Sequence, residues 1–228
     1  EFIKPLAEKT EQQYKEKEIG IKDVENIWIL AGTWIGLEEF DRSVLWYERV
    51  RCLVKEKLGE EHLLYADTLV EYANYFQAVD DYMAGEKFYE QAIRIYGEKN
   101  MEYTAKGRAA LIQQAAACQA QYKFAEALEI YSKLLNYQNE TYGKYYYGNA
   151  ELYNDIGTLY SMQGDLSKGL SHYKKALEIL EITGKKSELL ACIYKNICSV
   201  YLNGGSGKEA WKYSKMAKRV IEEIYDTI

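Results

Sequence analysis

The sequence predicts an all-α protein, a right-handed superhelical solenoid of five helix pairs, and three observations carry that expectation. Small residues recur at a step of 42, the apolar spacing between them is helical, and Pro5 is the single proline available to break a helix. The small residues are Ala31, Ala73, Ala115, Gly157 and Cys198, and twelve positions after each stand Ser43, Gly85, Ala127, Gly169 and Ala210. Large residues keep the same ruler. Trp34, Phe76, Cys118, Tyr160 and Tyr201 lie three after the first small residue, and Tyr47, Tyr89, Tyr131, Tyr173 and Ser214 lie sixteen after it.

Taken in order, residues 5–19 form a polar helical stretch ending at Gly20, so 1–21 is expected to be an N-terminal capping helix or a truncated repeat. The solenoid is expected over 22–228, with repeats at about 22–61, 62–102, 103–145, 146–185 and 186–228. Within the first repeat Ile27, Leu30, Ala31 and Trp34 follow the i, i+3, i+4, i+7 stripe, and Tyr153, Ile156, Gly157 and Tyr160 follow it in the fourth. The helices of each pair are parted by short polar turns such as Glu38-Glu39, Asp80-Asp81, Gln163-Gly164-Asp165 and Asn203-Gly204-Gly205-Ser206, and turns that short make the pair antiparallel. Small residues at the two register positions let the backbones approach while the rings fill the space beside them. The fifth repeat, with its extra glycines and Ser214 at the ring position, reads as a terminal cap.

The alternation resembles the tetratricopeptide repeat, and the fourth unit carries the resemblance best. Asn154-Asp155-Ile156-Gly157-Thr158-Leu159-Tyr160, then Gly164-Asp165-Leu166, then Tyr173-Lys174-Lys175-Ala176-Leu177-Glu178-Ile179 read nearly as the family consensus. The proline that usually ends the second helix is missing and the period is 42 rather than about 34, a longer form similar to the repeats of kinesin light chains. Lys57-Leu58-Gly59-Glu60-Glu61-His62 resembles the linker of that subfamily. A propeller of similar period would need strand alternation, which the units lack. The resemblance implies a protein-interaction scaffold; the same repeat serves many unrelated proteins, so it names no partner.

Composition and motifs set aside most other functions. With 29 Lys and Arg against 35 Asp and Glu, the net charge is −6, and no basic stripe suits nucleic acid. No run reaches the roughly 18 apolar residues of a membrane span. Cys52, Cys118, Cys192 and Cys198 are expected to be reduced core thiols, which suits a cytoplasmic protein. The first residue is Glu, so the chain is expected to be an excerpt of a longer one. Gly204-Gly205-Ser206-Gly207-Lys208 fails the phosphate-loop spacing, since Leu202 and Glu209 occupy required positions. His62 and His172 are far apart in sequence and have no metal-spaced partners, so no catalytic set, metal or cofactor is expected, and the region is not expected to be an enzyme.

The resemblance places the first helix of each pair on the concave side, which turns the register into a list of groove residues. Offsets −6, −3, −2, +1 and +4 from the first small residue point inward. The second repeat then contributes Asp67, Val70, Glu71, Asn74 and Gln77, the third Ile112, Gln113 and Gln119, the fourth Asn154, Asp155 and Thr158, and the fifth Lys195, Asn196 and Ser199. In the first repeat Trp28, Ile29 and Ile35 make the same face apolar, to be covered by the N-terminal helix or left as a pocket. Amides such as Asn74, Gln113, Asn154 and Asn196 can hold an extended backbone, and the surplus of carboxylates favours a basic segment. The expected function is thus a protein–protein interaction module binding an extended peptide or partner helix. The alternative is a sensor or regulatory region that controls an attached effector domain. The partner is a protein or peptide rather than nucleic acid or membrane, and the oligomeric state is not legible.

Overall fold

The computed structural model describes residues 2–184 and 187–225. The expected boundary between the last two repeats, at 185/186, and the last three residues, 226–228, lie outside them. Eleven α-helices and one 3-10 turn account for nearly all of the described chain: α1 (Ile3–Glu16), the 3-10 turn Ile21–Asp23, α2 (Val24–Gly36), α3 (Phe40–Leu58), α4 (Leu63–Ala78), α5 (Tyr82–Glu98), α6 (Ala105–Ala120), α7 (Phe124–Tyr142), α8 (Tyr147–Met162), α9 (Leu166–Thr183), α10 (Glu188–Asn203) and α11 (Gly207–Tyr225). No strand is found among the described residues. The chain divides into two compact units, Glu1–Tyr122 and Lys123–Ile228.

In the first unit α2 packs on α3 and α4 on α5, with α6 against α5 and α1 against α2. In the second, α8 packs on α9 and α10 on α11, with α7 against α8. The first helices of successive pairs also touch, α2 with α4, α4 with α6, and α8 with α10, so the first helices of each unit lie side by side.

The small residues sit where the helices cross. The hydroxyl of Ser43 donates to the Ala31 carbonyl across the α2–α3 crossing at 2.9 Å. A Cβ built on Gly85 would stand 3.1 Å from the Ala73 carbonyl oxygen, and one on Gly169 would stand 3.0 Å from that of Gly157. The partner rings Tyr47, Tyr89 and Tyr173 are buried beside these crossings. Where Ser214 breaks the ring pattern, its neighbour Tyr213 fills in, stacking on Tyr201 at 5.6 Å between centroids.

The same ruler governs the turns. Glu38, Asp80, Tyr122, Gly164 and Gly205 all have left-handed backbone, with φ of 59°, 59°, 61°, 84° and 76°, again at steps of 42, 42, 42 and 41. In four of these turns the next residue's N–H reaches back five residues: Glu39 to Trp34, Asp81 to Phe76 and Asp165 to Tyr160 at 2.9 Å, and Ser206 to Tyr201 at 2.8 Å. This is the Schellman closure, which satisfies carbonyls at a helix end with main-chain atoms alone. Asp81 and Asp165 then cap the helices that follow, accepting from Ala84 N at 3.1 Å and Lys168 N at 3.0 Å.

The N-terminal stretch folds as the expected helix, α1, and one buried carboxylate ties it down. Glu11 accepts hydrogen bonds from Arg42 and, at 3.0 Å, from Trp46 Nε1, both on α3, while Tyr14 meets Trp46 edge-on at 6.2 Å. Burial works against the Glu11 charge, but the bonds from Arg42 and Trp46 outweigh it and hold the carboxyl below its usual range. The cysteines depart from expectation in part: all four are free thiols and Cys118 is buried, but Cys52 and Cys192 are exposed. A helix has polar faces as well as apolar ones, and both lie on the former. His62 caps α4, its Nδ1 accepting from Leu64 N at 3.0 Å, and His172 stacks on Tyr160 at 5.2 Å. Among the described residues no helix is long and apolar enough to cross a membrane.

Candidate binding faces

The face of first helices in the first unit is built from α2, α4 and α6. Asp67, near the start of α4, accepts from Tyr96 Oη through Oδ1 and from Lys106 Nζ through Oδ2, each at 2.5 Å. Four residues on, one turn along α4, comes Glu71, whose hydrogen bond is from the amide of Asn74. Burial pushes the Glu71 carboxyl up; the bond from Asn74 lowers it, the charge of Asp67 raises it, and Lys106 opposes. Asn74 in turn accepts from Tyr89 Oη at 2.5 Å, and Gln77 Nε2 donates to the Gln113 carbonyl at 3.0 Å, linking α4 to α6. Val70 is half-buried between these polar groups, as are Ile112 and Gln119 on α6, whereas the side chain of Gln113 is exposed.

Around the first repeat the apolar expectation divides. Trp28 and Ile35 pack against the core, while Ile29 stays largely exposed and lines a cleft of about 390 Å³ with Ile3, Leu6 and Thr10 of α1. The N-terminal helix thus covers part of this face and leaves Ile29 uncovered. Trp28 Nε1 is buried with no hydrogen-bond partner among the described residues.

The second unit presents α8 and α10. Asn154 is buried; it donates to Asp155 at 3.2 Å and accepts from Asn196 Nδ2 at 2.8 Å, a bond between residues one repeat apart. Asp155 is half-buried, and its carboxyl is pushed up to about 6, first by burial and then by the charge of Glu151, with the Asn154 bond opposing. Thr158 shares a hydrogen bond with Tyr173 Oη at 3.1 Å. Ser199 is exposed. Lys195 lies apart from Asn196, in a cleft of about 430 Å³ shared with Cys198 and, on α11, Ala217 and Ile221. At the start of α8, Tyr146 packs at a tilt on Tyr142 at 4.6 Å between centroids and Tyr147 reaches Ser187 at 3.3 Å, leaving Tyr145 the most exposed of the three.

The amides are therefore not idle donors and acceptors. Asn74 is held by Tyr89, Gln77 by the Gln113 carbonyl, and Asn154 by Asp155 and Asn196, which uses part of their capacity and fixes their orientation. The tyrosines are the residues that the register alone left out of the site. Tyr89 and Tyr173, placed as crossing rings, send their hydroxyls through to the residue just after the first small position, Asn74 and Thr158. A tyrosine rather than phenylalanine at that ring position was the available signal. Tyr96 and Lys106 gave none, since the register places Val54 and Leu64 at the equivalent positions one repeat earlier.

Residues 108–182 match the family model described as tetratricopeptide repeat. No curated protein matches the chain. Among solved structures, BtubC (BKLC) from P. vanneervenii is similar at a TM-score of 0.75 and 22% identity, over 89% of this chain and 81% of that one. A Podosopora anserina putative kinesin light chain with nearly identical TPR-like repeats is similar at 0.74 and 16%, over 88% and 96%. A Rap protein complexed with Competence and Sporulation Factor is similar at 0.69 and 15%; the match covers 92% of this chain but 58% of that one. These likenesses show a shared fold. Residues 108–182 thus match the tetratricopeptide repeat by sequence, and the described chain shares its fold with TPR-like repeat structures, those of the kinesin light chain-like protein among them.

Proposed function

We propose that the chain is a protein–protein interaction module whose first-helix faces bind an extended peptide or a partner helix, with preference for basic segments. The observation that carries this reading is a half-buried carboxylate on each face, Glu71 on α4 and Asp155 on α8, neither in an ion pair among the described residues and both pushed upward by burial. A desolvated carboxylate with only an amide neighbour gains from an approaching cation, while hydrogen-bonded amides beside it offer pre-oriented groups to a main chain. Binding of fluorescein-labelled lysine- and arginine-rich decapeptides, against glutamate-rich ones, tests it by anisotropy at low salt. The basic peptides bind more tightly, and Glu71→Lys with Asp155→Lys weakens them by tenfold or more, of the order expected for two reversed charges. Equal binding of both peptide classes, or no effect of the reversals, removes the charge preference.

A second reading, a regulatory region governing an attached effector, draws support from the Rap likeness, where the matched part is about three-fifths of a longer chain. Fusion to its native neighbouring sequence, with effector output measured with and without peptide, separates the two.

A further inference from the structure

A cavity of about 180 Å³ lies in the first-helix face of the first unit, walled by Trp28 of α2, Val70 and Glu71 of α4, Tyr96 of α5 and Lys106 of α6. Its charges do not balance. Asp67 is matched by Lys106 at 2.5 Å and by the Tyr96 hydroxyl. Glu71 has a neutral amide for its bond and no ion pair among the described residues, so two carboxylates face one ammonium. Its charge also bears on the buried hydroxyls of Tyr47 and Tyr89, raising both after burial has done so. The rest of the lining is ring and aliphatic surface, which screens a charge poorly and so strengthens its pull on a counter-ion.

We propose that this cavity is an anchor for one arginine side chain of the bound segment, with the guanidinium against the Glu71 carboxylate and its plane on the Trp28 ring. The assignment rests on the peptide-binding reading above and makes it specific. A guanidinium is planar, weakly hydrated and forked, so one group can face an indole and a carboxylate together. A lysine ammonium, a strongly hydrated point charge, matches the carboxylate but not the flat wall. The ion pair of Asp67 and Lys106 sets the far side, presenting a fixed cation that turns a second basic side chain away.

The test uses the whole chain and N-acetyl-L-arginine amide as probe, with the lysine and citrulline amides as comparisons, followed through the indole N–H signals in 1H–15N correlation spectra. Trp28→Phe identifies the Trp28 signal among the four tryptophans. Arginine amide is expected to shift the Trp28 signal saturably, lysine amide more weakly, and citrulline amide, of the same shape without the charge, not at all. Glu71→Gln, its fold checked by circular dichroism, weakens the arginine amide by tenfold or more, since it removes a charge-assisted bond, while Glu129→Gln, at an exposed carboxylate of the other unit, leaves it unchanged. An unmoved Trp28 signal, or citrulline and arginine shifting it equally, overturns the assignment on the wild-type protein alone. If basic peptides bind and arginine amide does not touch Trp28, the anchor is wrong while the peptide reading stands. If arginine amide titrates Trp28 but no basic peptide binds, the anchor is right and the peptide reading fails.

Discussion

Gly157 and Gly97 are both helical glycines, and replacing each by alanine separates packing from propensity. In a helix interior alanine is favoured over glycine by about 0.8–1.0 kcal/mol, and by less at Gly97 in the last turn of α5, so propensity alone stabilises both variants. Around Gly97 nothing lies within 4 Å of the added Cβ. Around Gly157 the Cβ falls 2.8 Å from both Cδ1 and Cε1 of Tyr173 and 3.1 Å from the Gly169 carbonyl. Carbon atoms prefer roughly 3.5–4.0 Å, so the ring has to retreat by the better part of an ångström. It has little room: Tyr173 is 2% exposed and its hydroxyl is held by Thr158. Overpacking of this kind costs about 1–3 kcal/mol, which exceeds or cancels the propensity gain and leaves Gly157→Ala destabilised by roughly 0–2 kcal/mol. At about 2–4 °C per kcal/mol for a chain of this size, thermal unfolding followed by circular dichroism should place Gly97→Ala above the parent and Gly157→Ala below Gly97→Ala by several degrees. Equal stabilisation by the two substitutions would refute the claim that small residues at the crossings are there for backbone approach.

Glu11→Gln should loosen α1 by roughly 1–3 kcal/mol, seen as faster hydrogen exchange of α1 amides with the remaining helices unchanged, because it leaves Arg42 facing a neutral partner. Since the folded Glu11 carboxyl is lowered from 4.5, its contribution is present above that pH and is lost as the pH falls below it, so α1 should be the first helix to loosen in acid. Asp155 has the opposite sign: its folded carboxyl is raised from 3.8 to about 6, so its ionisation costs stability increasingly as the pH rises through that window. Asp155→Asn should therefore stabilise at pH 7 by roughly 1–3 kcal/mol and hardly at all at pH 4, measured by urea unfolding at both values. Glu38→Gly should stabilise by about 0.5–1 kcal/mol in the same assay, since Glu38 is exposed and holds a left-handed backbone that glycine adopts freely.

Much of the architecture was legible because the repeat writes it five times. A small residue at 73 alone says little; small residues at 31, 73, 115, 157 and 198 say that a helix crosses there, and the Ser43–Ala31 and Gly169–Gly157 approaches bear this out. The faces were less legible, because register gives the direction of a side chain but not what it meets. The register puts Asn154 on the inner face, and the structure adds that it is buried and bonded to Asn196, which takes part of its capacity. Lys195 followed the same register, but it shares a cleft with α11. Tyr96 and Lys106, which complete the surroundings of Asp67, come from positions that vary from repeat to repeat, so no periodic signal could single them out.

The four Schellman turns are closed by peptide groups, not by side chains, and three of the five left-handed positions manage without glycine. Hairpin geometry is thus largely indifferent to which amino acid stands at each bend. A gene copied in units of this length can let the bends of its duplicates diverge widely without disturbing how the two helices of each hairpin are joined. The crossings still demand small residues, as at Gly157 and Gly169, so the freedom to diverge lies in the bends and on the exposed side of each copy.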